Sequence, residues 1–364
     1  MNLAIAGFGT AVPEHALTQE EAVELHTTFC RMDPSRSRTL RALYRRSGVG
    51  RRHSVLLSTS DGRLAERQSF YPPAMCEQDR GPATARRMER YEIEAPPLAA
   101  AASQRALRSA GVRPGEVTHV VTVSCTGFFA PGLDAALIDT LGLSRATERT
   151  HVGFMGCHGA LNGLRVAGSF ADANPAAVVL VCSLELCTLH FAYGWDPDML
   201  VANALFADGA AAVVGRAPGP RDGAAWRVCG VGTYLMPESA NDMAWRIGDH
   251  GFRMTLSARV PELIEAHLGD WLRAWLSDQG LALEDVASWA VHPGGPRILR
   301  AVERSVCRPG DVTAVPREIL AEFGNMSSAT ILFILQRLWD RAAPRPCLAL
   351  AFGPGLVVEA ALIV

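Results

Sequence analysis

Three stretches of this chain recur in the same order, the trace that a duplicated core leaves behind. The chain opens with LAIAGFGTAVP (3–13), and VCGVGTYLMP (228–237) repeats the strand, the Gly-x-Gly-Thr turn and the closing Pro. GVRPGEVTHVVTVSCTG (111–127) is matched by GLALEDVASWAVHPGG (280–295), each a helix end, an acid with Val, and a buried strand. GCHGALNGLRVAGSF (156–170) and GNMSSATILFILQRL (324–338) each open a helix on a Gly-flanked polar residue, and an apolar strand follows each helix. Strands and helices alternating in this order predict α/β layers with strongly apolar central strands. We expect two βαβ-type halves, 1–225 and 226–364, parted by the linker GRAPGPRDGAAW, with residues 31–95 as an Arg-rich insertion in the first half.

Composition excludes several classes of function. A length of 364 residues with 49% hydrophobic and 20% charged side chains describes a globular chain with a large core. A formal net charge of −2 gives no global attraction to nucleic acid or to an anionic membrane. The apolar runs AAVVLVCSLELC and CLALAFGPGLVVEAALIV each carry a Glu, so neither reads as a membrane span. Nine cysteines in an irregular odd set, with no secretory leader, predict reduced thiols in a cytoplasmic protein. Cys182 and Cys187 are too far apart, and without a second pair, to suggest zinc.

Cys157 stands out from the other eight cysteines. Gly156 and Gly159 flank it at a predicted helix start, where unpaired N–H groups and the helix dipole favour a thiolate. A thiol nucleophile needs a base. Most of the ten histidines lie in polar loops or on amphipathic helices, whereas His292 ends a predicted central strand and precedes a turn, where α/β sites gather. His158, as the neighbour of Cys157 in the chain, faces elsewhere. Asn325 takes in the second half the helix-start position that Cys157 takes in the first, so the duplication brings the two together.

With these residues in view the chain resembles the type III polyketide synthases, the chalcone and stilbene synthase family of thiolase-like condensing enzymes. The resemblance rests on GCHGALNGLRVA, ANALFADGAAAVVG, WAVHPGGPRIL, FGNMSSATILFIL and AFGPGLVVEAAL, in the family's order. It implies a thiolase-like αβαβα fold of five layers, a homodimer, and acyl-CoA and malonyl-CoA as substrates with no cofactor and no metal. It implies Cys157 as nucleophile, with imidazolium His292 holding the thiolate and Asn325 completing the triad. Phe206 is implied as a gatekeeper, Met254 as the replacement of a second aromatic gate, and Gly353 and Pro354 as cavity floor, where Ala351 replaces a family glycine.

Cys125, Thr126, His190 and Ser327 fall at positions the resemblance places on the cavity wall, with Cys125 where plant enzymes carry Thr. Ala130 stands where they carry a Met that reaches across the dimer. Arg46 and Arg297 fall at coenzyme A positions, with Arg41 and Arg45 as added positive charge. The less aromatic gate implies a fatty acyl starter and an alkylpyrone or alkylresorcinol product. A ketoacyl synthase making one condensation uses the same three residue types, and an inactive acyl-binding scaffold would share the fold. A Cys–His amidotransferase would want a carboxylate on the His, which HPGGP does not offer.

Overall fold

The structure is a computed structural model and describes residues 1–219, 226–308 and 310–364. The expected boundary at 225/226 falls at 220–225, outside the described residues on its first side. One sheet of nine strands runs through the molecule. Its order is Ser288–Val291, Cys347–Gly353, Val357–Ile363, Arg227–Leu235, Leu3–Ala11, Asp208–Arg216, Val178–Leu186, His119–Ser124 and Glu148–Gly153. The Gly-x-Gly-Thr strands of the repeat are the seam: Leu3 pairs with Val228 and Ala4 with Arg227, antiparallel. Moving outward from that seam, each side presents an antiparallel neighbour and then strands that run parallel to one another at the edge.

Strand alternation builds the layers, because successive side chains point to opposite faces. Val120, Leu180, Ala212 and Val214 pack against the long helix Thr84–Ala110. Val121, Val179, Val181 and Val213, on the other face, join Leu164 and Leu335 in the middle of the molecule. Ala349 and Ala361 of the far strands close that middle cluster, while their neighbours Leu348, Leu350 and Leu362 face Ile264, Leu268 and Leu299 of the outer helices Val260–Asp278 and Pro296–Ser305. The result is helix, sheet, helix pair, sheet, helix, with Gly159–Ala173 and Thr330–Asp340 as the buried central pair. Both central helices are preceded by a turn of 3₁₀ helix, Gly156–His158 and Ser327–Ala329, and the two turns touch.

The Arg-rich insertion forms the helix Pro34–Arg46, capped by Asp33 and started by Pro34, and the strand Arg51–His53 paired with Ala16–Thr18. A separate hairpin, Met243–Gly248 with Gly251–Leu256, stands off the main sheet and places Trp245 directly opposite Met254. No helix among the described residues is long and apolar enough to cross a membrane.

Candidate active site

Cys157 sits in the 3₁₀ turn that leads into the central helix Gly159–Ala173. Gly156 makes that turn possible twice over. Its φ is +75°, and a Cβ there would lie 2.4 Å from Pro354 Cδ. Gly156→Ala is therefore expected to cost about 2–4 kcal/mol through backbone strain and overpacking, read as a fall in thermal midpoint and a slower acylation of Cys157. Gly115→Ala, with open space around the new Cβ, is the matched control.

Cys157 opens into a cavity of about 50 Å³. Cys125, Thr126, Phe206 and Met254 line it, as do Ser327, Gly353 and Pro354. Charged side chains are missing from that lining. Ser327 Oγ lies 3.4 Å from the Cys157 sulfur and 3.2 Å from that of Cys125. Asn325 is 2% exposed, and its side chain favours the charged form of the Cys157 thiol. Its orientation is fixed, because Oδ1 accepts from the Ser327 N–H at 2.8 Å and so leaves the amide N–H groups as the donors. The Asn325 backbone is held beside the gate by two hydrogen bonds, Asn325 N–H to Leu205 and Ala207 N–H to Asn325, both 2.9 Å. Here Asn325 acts through that bridge and an Asx turn rather than as an ordinary helix cap.

His292 follows the strand Ser288–Val291, its N–H bonded to Leu350 at 2.8 Å. The ring is 1% exposed, and neither of its nitrogens has a hydrogen-bond partner among the described residues. Two unpaired polar atoms on one buried ring are uncommon in a native interior, and a catalytic role is one of the few explanations. Burial pushes the Cys157 thiol up to about 12, with Ser327 and Asn325 pulling it back and the Glu185 carboxylate adding to the rise. Burial, and then His158, pushes the His292 imidazole down to about 3. Neither a lone thiolate nor a lone imidazolium is stable here. Burial works against the implied standing imidazolium and favours the neutral thiol and the neutral ring.

Two expectations change. His190 does not line the Cys157 cavity. Its ring is a buried clamp, Nε2–H donating to the Thr126 carbonyl at 2.7 Å and Nδ1 accepting from Phe252 N–H at 2.9 Å, while stacking on Phe252 at 4.1 Å. Only the neutral ring can both donate and accept, and burial pushes it down to about 3. The clamp ties the cavity wall to the hairpin. His158 is packed under the site, bonded to Asn162 Oδ1 at 2.7 Å, and its ring is why residue 353 must be Gly: a Cβ would fall 2.2 Å from His158 Cδ2. Arg46 and Arg297 do share one cleft of about 540 Å³, joined by Arg300, but Arg41 and Arg45 are not part of it.

Two functional residues escaped the sequence. Trp245 lines the cavity and donates its indole N–H to the Cys125 carbonyl at 2.8 Å. Glu185, fully buried, accepts from Cys125 N–H at 3.0 Å, from Thr126 Oγ1 at 2.7 Å and from Ser328 Oγ, which locks the Cys125 loop to the turn after Asn325. The signal for Glu185 was an acid inside an apolar strand. Trp245 gave none, because the hairpin belongs to neither repeat.

Residues 2–218 match the family model for the N-terminal domain of chalcone and stilbene synthases, and residues 228–364 match the model for their C-terminal domain. The chain belongs to the chalcone and stilbene synthase family. It is a type III polyketide synthase, an acyl-transferring condensing enzyme with a thiolase-like fold. Among relatives of this family, a 1,3,6,8-tetrahydroxynaphthalene synthase of Streptomyces peucetius subsp. caesius is 34% identical, over 99% of this chain and 92% of that protein. The alpha-pyrone synthesis polyketide synthase-like Pks18 of Mycobacterium tuberculosis is 31% identical, over 98% of this chain and 90% of that protein. The solved structure of PKS-I from the brown alga Ectocarpus siliculosus superposes with a TM-score of 0.92 at 30% identity, covering 99% of this chain and 97% of that one.

Proposed function

We propose that this polyketide synthase takes an apolar, fatty acyl starter from coenzyme A onto Cys157, extends it by repeated decarboxylative condensation with malonyl-CoA, and releases an alkylpyrone or alkylresorcinol. The observation that carries the starter class is the lining of the Cys157 cavity, which offers sulfur, methionine and aromatic surface and no cation. A starter with its own carboxylate would be buried there unpaired, at a cost of several kcal/mol. The same lack of a cation destabilises the malonyl carboxylate and so favours loss of carbon dioxide, the electron pair and its charge passing to the enolate.

Each residue then has a task. Cys157 attacks the acyl-CoA carbonyl, its proton passing to His292, and coenzyme A leaves with that proton. Malonyl-CoA loses carbon dioxide, and the Asn325 amide with the His292 ring donates to the enolate oxygen. The enolate carbon attacks the Cys157 thioester, and the sulfur is freed for the next round. Arg46, Arg297 and Arg300 around the 540 Å³ cleft suit the coenzyme A phosphates.

Room for the chain is set by Trp245. With Cys187 and Phe206 it forms a wall common to the Cys157 cavity and a second cavity of about 50 Å³ behind it. Trp245→Ala merges the two spaces and is expected to shift the kcat/KM ratio of a long over a short straight-chain acyl-CoA upward by about tenfold or more, with Trp245→Phe intermediate. Product masses from a series of acyl-CoAs with malonyl-CoA test the proposal. Turnover of malonyl-CoA alone, with no aliphatic starter in any product, contradicts it.

A further inference from the structure

The last carbonyls of a helix have no partner within it. At the end of Pro197–Leu205 these belong to Asn203, Ala204, Leu205 and the cap Phe206, and each is met from outside the helix. Leu205 accepts from the Asn325 N–H at 2.9 Å. The other three accept from one side chain, Arg52, whose Nη1 donates to Asn203 and, at 3.3 Å, to Phe206, and whose Nη2 donates to Ala204 at 3.3 Å.

Arg52 comes from the strand Arg51–His53 of the insertion and is 7% exposed. Gln19 and Tyr44, both buried, frame it. Gln19 Oε1 accepts from Nη2, and Gln19 Nε2 donates to the Ala204 carbonyl at 2.8 Å. The Tyr44 ring lies 5.3 Å from the guanidinium, and its hydroxyl donates to the Asn203 carbonyl at 3.2 Å. No carboxylate accepts from Arg52 among the described residues: Asp208, whose charge it feels, accepts instead from Val55 N–H at 2.9 Å and from Thr188. A guanidinium taken out of water without a paired acid is costly, whereas an exposed cation is enough to cap a helix C-terminus. What the buried position adds is reach past the helix end, to the residue whose backbone pairs with Asn325.

We propose that Arg52 is a positioning residue for Asn325. It fixes the carbonyls of Asn203, Ala204 and Phe206, and the bonds of the adjoining Leu205 and Ala207 to Asn325 carry that fixed backbone to the catalytic amide. None of these hydrogen bonds reaches Cys157 or His292, so transfer of the starter to the thiol does not depend on Arg52. The proposal rests on the reading of Asn325 as a donor to the enolate oxygen.

Arg52→Met keeps much of the stem and removes the donors. It is compared with N325A and with R52M/N325A, each measured for decarboxylation of malonyl-CoA and for single-turnover acylation of Cys157 by octanoyl-CoA. R52M is expected to lose about thirtyfold in decarboxylation, the scale of a small misplacement of a reacting group, while acylation stays within about threefold. R52M/N325A is expected to match N325A within about twofold, because a residue that works through Asn325 then has nothing left to place. R52K keeps the cation and part of the donor set, is expected to fall between R52M and wild type, and takes the place of R52M in the same cycle if R52M does not fold. Additive losses in the double variant overturn the proposal, as does a fall in acylation equal to the fall in decarboxylation. Decarboxylation at the wild-type rate in N325A removes the enolate reading and the proposal with it. A loss in N325A joined to wild-type decarboxylation in R52M leaves that reading standing and overturns the proposal alone.

Discussion

Cys157→Ala is expected to lower polyketide formation by about 10⁴-fold or more, as loss of an activated nucleophile does elsewhere. The prediction is demanding because the cavity holds two other thiols, Cys125 and Cys187. Neither can substitute. Both are buried, whereas Cys157 is half-buried, and both are pushed well above the usual thiol range, first by burial and then by the Glu185 carboxylate. Cys125 shares Ser327 Oγ with Cys157, but the Asn325 side chain favours the thiolate of Cys157. Peptide mapping after incubation with an acyl-CoA should place the acyl mass on Cys157 in the wild-type protein and nowhere in the variant. An acyl group on Cys125 or Cys187 would contradict the assignment.

Asn325→Ala separates the two halves of the reaction. Removing one preorganised donor to a developing oxyanion costs about 10²–10³ in rate, about 2.7–4 kcal/mol. Release of carbon dioxide from malonyl-CoA should fall by that factor. Acylation of Cys157 should persist, because the sulfur keeps its Ser327 contact and the cavity keeps its shape. Normal decarboxylation in a folded variant would remove Asn325 from the enolate step.

The sequence carried the fold because each half repeats one strand order and the layers follow from apolar alternation on Val120–Val121, Val179–Leu180 and Leu348–Ala349. It pointed to Cys157 and Asn325 because a duplicated helix start is a local pattern, and the structure brings the two turns that follow from it into contact; a strand end pointed to His292, and its place there is what the structure shows. It could not carry what depends on ring orientation or on elements outside the repeat. His190 reads as a wall residue until its two hydrogen bonds are seen. Trp245 lies on a hairpin that the duplication does not register, and its partner is a backbone carbonyl far along the chain. Arg46 separates from Arg41 and Arg45 only once the helix is wound and packed, since charge alone does not say which face meets the cleft.

Catalysis by this site turns on a proton shared between the half-buried Cys157 thiol and the buried His292 imidazole. The rate of Cys157 alkylation by iodoacetamide, followed against pH in the wild-type protein and in His292→Gln, tests this most directly. With the acceptor ring removed, the thiol loses the group that takes its proton, so the alkylation profile should move to higher pH and the rate near neutral pH should fall well below wild type. Superimposable profiles for the two proteins would contradict the pairing of Cys157 with His292.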